Sequence, residues 1–267
     1  IFEMKSYLKD IIKGGGFIEK DGIIYFSEQH FDIRPSEDKE PQNSARWSYW
    51  RRSNFDFFKS ELEKLPKDKI LVDLGAGQSD FQDLTSNFNL CSVDFYPYRG
   101  IDVVCDFANG LPFRDGVADI IFLSNVLEHS PEPNDLLFEC KRILKKGGVI
   151  LGSVPFLINV HQRPYDFYRY TDMNLEYLFR KAGFSNWEVR PVLRMDALIF
   201  ALSARFFTDL IQRNIFPRNR VLRGIQTAFL RVLWKMVRIG FMAMKPIFSA
   251  AYQNPDYPLG YLFQIKK

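Results

Sequence analysis

Cysteine and histidine are scarce, with three of each in 267 residues. Cys91, Cys105 and Cys140 stand far apart and form no Cys-x-x-Cys, so neither a cysteine zinc site nor a disulfide framework is readable. They read as small buried residues of a reducing compartment. The sequence lacks any uninterrupted run of about 18 apolar residues, so no spanning helix is readable. No signal-peptide pattern is legible either, and a cytoplasmic location is expected.

What is present is globular: 46% apolar and 25% charged residues. The net charge of +4 is unevenly placed. Arg190–Ala250 holds 11 Arg or Lys against 2 Asp, a local +9 that leaves −5 for the remainder. Such asymmetry points to a polyanionic partner or an anionic membrane surface.

The pattern divides the chain into an N-terminal extension (1–42), a main domain (43–194 with 258–267) and a basic helical insertion (195–257). In the extension, Asp21-Gly22 between apolar runs predicts a hairpin over Phe17–Phe26, and Ser36–Gln42 reads as a linker. Ser44–Leu65 has helical periodicity, stopped by Pro66. This helix either packs on a sheet edge or forms a lid bearing Trp47 and Arg51. Strands are then predicted at Ile70–Leu74, Leu90–Asp94, Ile101–Asp106, Ala118–Ser124, Val149–Val154 and Trp187–Val192. Helices at Ser79–Asn87, Asn134–Leu144 (ended by Gly147-Gly148) and Asp172–Lys181 (capped by Asp172) alternate with them. Ala197–Ile211 and Val221–Met244 are long helical patterns, and Tyr261–Ile265 is a last strand. The expectation is a doubly wound, mostly parallel seven-stranded α/β sheet with a helical insertion before its final strand.

In such sheets ligands bind outside the carboxyl ends of the strands. Four consecutive strand ends carry polar groups: Asp73 before Gly75-Ala76-Gly77, Asp94, Asp106, and Ser124-Asn125. Asp94 lies about where an acid takes a ribose hydroxyl. Asp106 suits an exocyclic amine, and Phe95 or Phe107 offers a face to a ring. Together these describe an adenosine pocket. Asp80 stands where a dinucleotide fingerprint wants a small residue, and an acid there would repel a diphosphate. An adenosine ligand without phosphates and with positive charge fits better.

Five segments match a known family in order: Val72–Gly77, Ser92-Val93-Asp94, Leu111–Asp119, Ser124–His129 and Leu144–Gly148. The chain resembles a class I S-adenosylmethionine-dependent methyltransferase with a Rossmann-like fold. The resemblance implies S-adenosyl-L-methionine as cofactor. It places Asp73, Gly75 and Gly77 at the methionine part, Asp94 at the ribose and Asp106 with Phe107 at the adenine. Ser79 stands where the family usually has a third glycine.

Methyl transfer from a sulfonium is an in-line displacement, so catalysis rests mainly on aligning and desolvating the acceptor, with a base helping an oxygen acceptor. His129 closes the fourth-strand motif, either supporting its loop or acting directly. His161–Thr171 resembles a segment of a methyltransferase subgroup associated with cell-envelope glycan synthesis. Its aromatics (Tyr165, Tyr168, Tyr170) suit sugars or quinone rings, Arg163 and Arg169 suit anions, and His161 or Asp166 can take a proton. The plainer reading is a loop whose aromatics pack on the sheet and whose Asp–Arg pairs fix it.

Val221–Lys245 alternates Arg and Lys with bulky apolar residues, the pattern of an interfacial amphipathic helix or of a cap packed on the domain. Basic residues interleaved with aliphatics argue against nucleic acid. The expectation is an enzyme that O-methylates a glycan or lipid-linked glycan, peripheral on the inner membrane face. Methylation of a prenylated quinone or another lipid-like molecule, and a non-catalytic binding scaffold, are the competing readings.

Overall fold

The computed structural model describes residues 5–26, 47–77, 81–193, 195–213, 220–251 and 256–267. The chain forms two compact units, Ile1–Val192 with Gly260–Lys267, and Leu193–Leu259.

In chain order the first unit contains α1 (Leu8–Ile11), β1 (Ile18–Lys20), β2 (Ile23–Tyr25), α2 (Tyr49–Leu62), β3 (Ile70–Leu74), α3 (Gln82–Thr85), β4 (Asn89–Asp94), β5 (Val103–Val104), β6 (Ala118–Ser124), α4 (Pro133–Ile143), β7 (Leu144–Pro155), α5 (Asp172–Lys181) and β8 (Asn186–Pro191). After α6 (Met195–Gln212) and α7 (Arg220–Ala251) of the second unit, β9 (Gly260–Lys266) returns to the sheet. The strand order is β1-β2-β5-β4-β3-β6-β7-β9-β8. Strands β5, β4, β3, β6 and β7 run parallel, and β9 inserts antiparallel to both β7 and β8. The seven expected strands are present. The Ile18–Tyr25 hairpin adds two more, through β2 pairing parallel with β5.

Successive residues of a strand point to opposite faces. Ile121 and Leu123 of β6 join Leu136, Leu137 and Ile143 of α4 and Leu175 and Phe179 of α5 in one core. Phe122, between them, faces the other way and stacks on Phe58 of α2 at 4.8 Å between ring centroids. The sheet is thus covered on both sides, as a parallel sheet requires.

Local chemistry accounts for the differences from expectation. The third strand shortens to two residues because Asp106 turns the chain, its carboxylate capping a 3-10 turn through Ala108 N–H at 2.9 Å. Gly147-Gly148 does not end α4; the pair lies inside β7, where Gly147 has φ +76° and the register against β6 shifts. A Cβ on Gly148 would stand 2.8 Å from Leu144 Cδ1. The cap of α5 is Thr171, whose hydroxyl accepts from Asn174 N–H at 3.2 Å, and not Asp172. The reading of Asp80 and Ser79 lies outside the described residues, as does the Ser36–Gln42 linker.

In the second unit, Leu230 of α7 is buried, and Trp234 packs against Phe200 and Phe207 of α6 at 5.5 and 5.3 Å. No described helix is long and apolar enough to cross a membrane.

Candidate functional site

The sheet reverses its winding between β3 and β6, which places a crevice beyond their carboxyl ends. The two loops there meet closely. Gly75 has φ +72°, and a Cβ on it would lie 2.6 Å from Val126 Cγ2. Only glycine satisfies both the left-handed backbone and the close approach.

Backbone bonds shape the turn. Gly75 and Ala76 N–H donate to Val93 O at 2.8 and 3.0 Å. Gly77 N–H donates to Asp94 Oδ2 at 2.8 Å, and Tyr96 N–H to Asp94 Oδ1 at 2.9 Å. Asp94 therefore locks the glycine turn to the end of β4, a role that sequence reasoning missed. Burial raises its pKa, and those N–H groups oppose the rise. Asp73 is pushed up to about 7, by burial first and then by the charge of Asp94. Asp106 spends part of its carboxylate on the cap described above, with Phe107 half-buried beside it.

At the end of β6, Asn125 adopts φ +56°, and its Oδ1 accepts from Trp50 Nε1 at 3.0 Å. Its Nδ2 lies 3.4 Å from Ser124 Oγ, which itself lies 3.4 Å from Ser153 Oγ. Trp50 packs where a Cβ on Gly260 would stand, so the indole is held between β9 and the β6 loop. Of the tryptophans near the start of α2, Trp50 is the one that reaches this loop. Trp47 packs instead on Phe55 and Phe81, with Arg51 over its ring.

The His161–Thr171 segment is sewn to the turn after β6. Phe167 and Tyr168 N–H both donate to Glu128 O, at 2.9 and 3.3 Å. Tyr170 is buried with its hydroxyl on Leu127 O at 2.8 Å, and Tyr168 Oη donates to Pro131 O at 2.9 Å. His129 Nδ1 lies 2.5 Å from Tyr165 O. Tyr165 stands exposed, its ring centroid 6.1 Å from that of Phe95, which brings the β4 end and this segment together. Arg163 is exposed.

Three expectations change. Asp166 is no proton acceptor: Arg169 grips both oxygens at 2.6 and 2.9 Å, and His161 N–H adds a third bond at 2.7 Å. The guanidinium holds this carboxyl well below the usual carboxylate range. Arg169 is not free for a substrate anion, because it also donates to Ile158 O and Asn159 O. Tyr170 is a buried strut and does not face an acceptor. The sharp readings of Asp166, Arg169 and Tyr170 thus give way to the loop-fixing one, while Tyr165 and Tyr168 are exposed and His129 and His161 half-buried.

The rings of His129 and His161 meet edge to face at 4.9 Å. Beneath them Glu128 is fully buried, and burial pushes its carboxyl up to about 8. Burial likewise lowers the pKa of His129. Glu128 was missed by sequence reasoning, although it stands beside His129 in the motif that was singled out.

Residues 60–152 match the methyltransferase-domain family. The uncharacterized protein MJ1123 of Methanocaldococcus jannaschii is 33% identical over 124 residues, which are 42% of this chain and 58% of that protein. The chain thus spans little more than half of this curated relative. Similar solved structures include a SAM-dependent methyltransferase from Archaeoglobus fulgidus, with 16% identity, 81% of this chain and 94% of that one, and a TM-score of 0.49. Haemonchus contortus phosphoethanolamine N-methyltransferase 2, in complex with S-adenosyl-L-methionine, gives 16%, 81% and 52%, also with a TM-score of 0.49. Likeness of this degree concerns the fold alone and says nothing about a substrate. Residues 60–152 thus match a methyltransferase domain, and the strand order and the glycine turn at the switch point agree with the class I fold that the sequence resembles.

Proposed function

We propose that this chain moves the methyl group of S-adenosylmethionine to an oxygen of a glycan or lipid-linked glycan at an anionic membrane surface. In this reading Asp73, Gly75, Ala76 and Gly77 take the methionine part of the donor. Asp94 with Phe95 takes the ribose side, Asp106 with Phe107 takes the adenine, and Ser124 and Asn125 close the pocket. The observation that carries the acceptor assignment is the anchored segment at the crevice mouth. Tyr165 and Tyr168 are exposed although their backbone is pinned, so they present flat faces without the entropy of a loose loop. His129 and His161 are the groups beside them able to hold an acceptor hydroxyl.

Support for a lipid-bearing acceptor comes from the second unit. One side of α7 packs on α6, while Leu222, Ile225, Phe229, Val232, Met236 and Ile239 form an exposed apolar stripe. Arg220, Arg231, Lys235 and Arg238 are exposed on the same helix. Apolar residues beside cations of one sign suit the interface of an anionic bilayer.

Radiolabelled S-adenosylmethionine with a membrane lipid extract tests the reading. Label entering a lipid-extractable, glycosidase-sensitive product is expected. Label entering a glycosidase-resistant lipid would move the acceptor to a quinone or similar molecule. Cofactor binding with no transfer to any extract would leave a scaffold.

A further inference from the structure

The turn after β6 holds an arrangement that methyl transfer alone does not use. Glu128 is 0% exposed, and among the described residues neither carboxylate oxygen meets a hydrogen-bond donor from another residue. Such isolation is costly for a carboxylate. Arg169 and Asp166, locked to each other, are its charged neighbours. His129 Nε2 is also buried and has no hydrogen-bond partner among the described residues; it lies 3.8 Å from Glu128 Oε1.

The tautomers are set by what lies behind each ring. His129 Nδ1 faces the Tyr165 carbonyl, which only accepts, so Nδ1 carries the proton and Nε2 offers a lone pair. His161 repeats the pattern: its Nδ1 lies 3.1 Å from Asn159 O and 3.5 Å from Asp166 Oδ2, both acceptors. Arg169 Nη2, already engaged by Asp166 and Asn159 O, touches the same nitrogen at 3.5 Å. Each imidazole thus keeps Nε2 as its lone-pair nitrogen, with Nδ1 backed by a backbone carbonyl. This is the outer support usual behind a metal-bound histidine.

One ligand atom from each of Glu128, His129 and His161 lies within 4.8 Å of the others. Bonds of about 2.0–2.2 Å separate the ligand atoms of a tetrahedral zinc site by roughly 3.4 Å. The 3.8 Å between Glu128 and His129 therefore closes with a small side-chain movement. A hydrogen-bonded water would satisfy fewer of these lone pairs than a cation.

We propose that Glu128, His129 and His161 bind one divalent cation of zinc type, with a fourth position open to water or to an acceptor hydroxyl. Two histidines, a carboxylate and an open position form a donor set for catalytic rather than structural zinc. Only the use of that position rests on the methyl-transfer reading. A hydroxyl on the cation gives its proton to solvent, its oxygen bonds the methyl carbon, and the S–CH3 bond pair returns to sulfur. His161 then serves as a ligand and not as a free base.

Full-length protein without an affinity tag, stripped by chelator, should bind one equivalent of Co2+ and show the visible bands of a low-symmetry, four-coordinate site. Zinc should displace them. His161→Gln, at a partly exposed ring, should fold normally and weaken Co2+ binding at least tenfold, and Glu128→Gln should do the same. Absence of the bands in the wild-type protein would overturn the proposal, and so would His161→Gln binding Co2+ as tightly as wild type. Titration of the same samples with S-adenosylmethionine tests the methyl-transfer reading separately, because that measurement does not involve the cation.

Discussion

The two sides of the crevice are held by opposite means. On the side proposed for the donor, Gly75 and Gly77 fix the turn through their own backbone, and the Asp94 side chain ties it down. On the side proposed for the acceptor, side chains do the fixing: Arg169 on Asp166, Tyr170 on Leu127 O, His129 on Tyr165 O. A backbone-built loop suits one invariant ligand, whereas a loop pinned by side chains leaves its remaining residues free to vary with the acceptor.

That contrast can be broken from either side. The largest effect is expected at Arg169. Arg169→Ala leaves Asp166 charged and buried at 2% side-chain exposure, which should cost about 3–5 kcal/mol in chemical unfolding. Turnover should collapse with it. Cofactor affinity, measured by calorimetry below the melting temperature, should stay within a few-fold. A matching loss of cofactor affinity would show that the two sides are one unit. Next comes His161→Ala, expected to lower turnover by about 10²-fold with normal cofactor binding. Unchanged turnover would remove His161 from the chemistry.

Gly75→Ala attacks the donor side. Left-handed backbone at an alanine costs about 1–2 kcal/mol, and the new methyl must also displace Val126. Cofactor Kd should rise by about tenfold or more while the His161–Thr171 segment keeps its protection from amide exchange. Loss of that protection would contradict the separation.

A further effect is one of pH. Asp73 has its folded pKa raised to about 7. Between about 4 and 7 the folded state holds a proton that the unfolded state has lost, so stability from this group falls as pH rises through that window and then levels. The melting temperature of cofactor-free wild type, relative to Asp73→Asn, should therefore drop from pH 5 to pH 7 and stay flat above. In the proposed reading, where the Asp73 carboxylate holds the donor's ammonium, cofactor affinity should move oppositely, strengthening by at most about tenfold per pH unit up to 7. A flat profile would mean that Asp73 is ionised throughout.

The same contrast explains what could be read from the residues alone. Strand β6 is readable to its ends because Ile120, Ile121, Phe122 and Leu123 are all apolar, as a strand covered on both faces must be. The glycine turn is readable because few other residues can adopt its backbone. The clamp of Arg169 on Asp166 and the bond from Trp50 to Asn125 leave no periodic trace, since they join side chains whose meeting is decided by tertiary geometry. His161 and Asp166 looked alike as proton acceptors until their partners were known. Glu128 stayed hidden because an acid in a loop is ordinarily solvated, and its burial shows only once Tyr168 and Tyr170 fold over the turn.

The position of Trp50 between Gly260 and Asn125 has a consequence for biosynthesis. A ribosome delivers the glycine turn and the β6 loop early, then all of Leu193–Leu259, and β9 only afterwards. Until Gly260 arrives, the indole lacks one wall. The nascent chain therefore carries an unfinished crevice until the basic helices have been made.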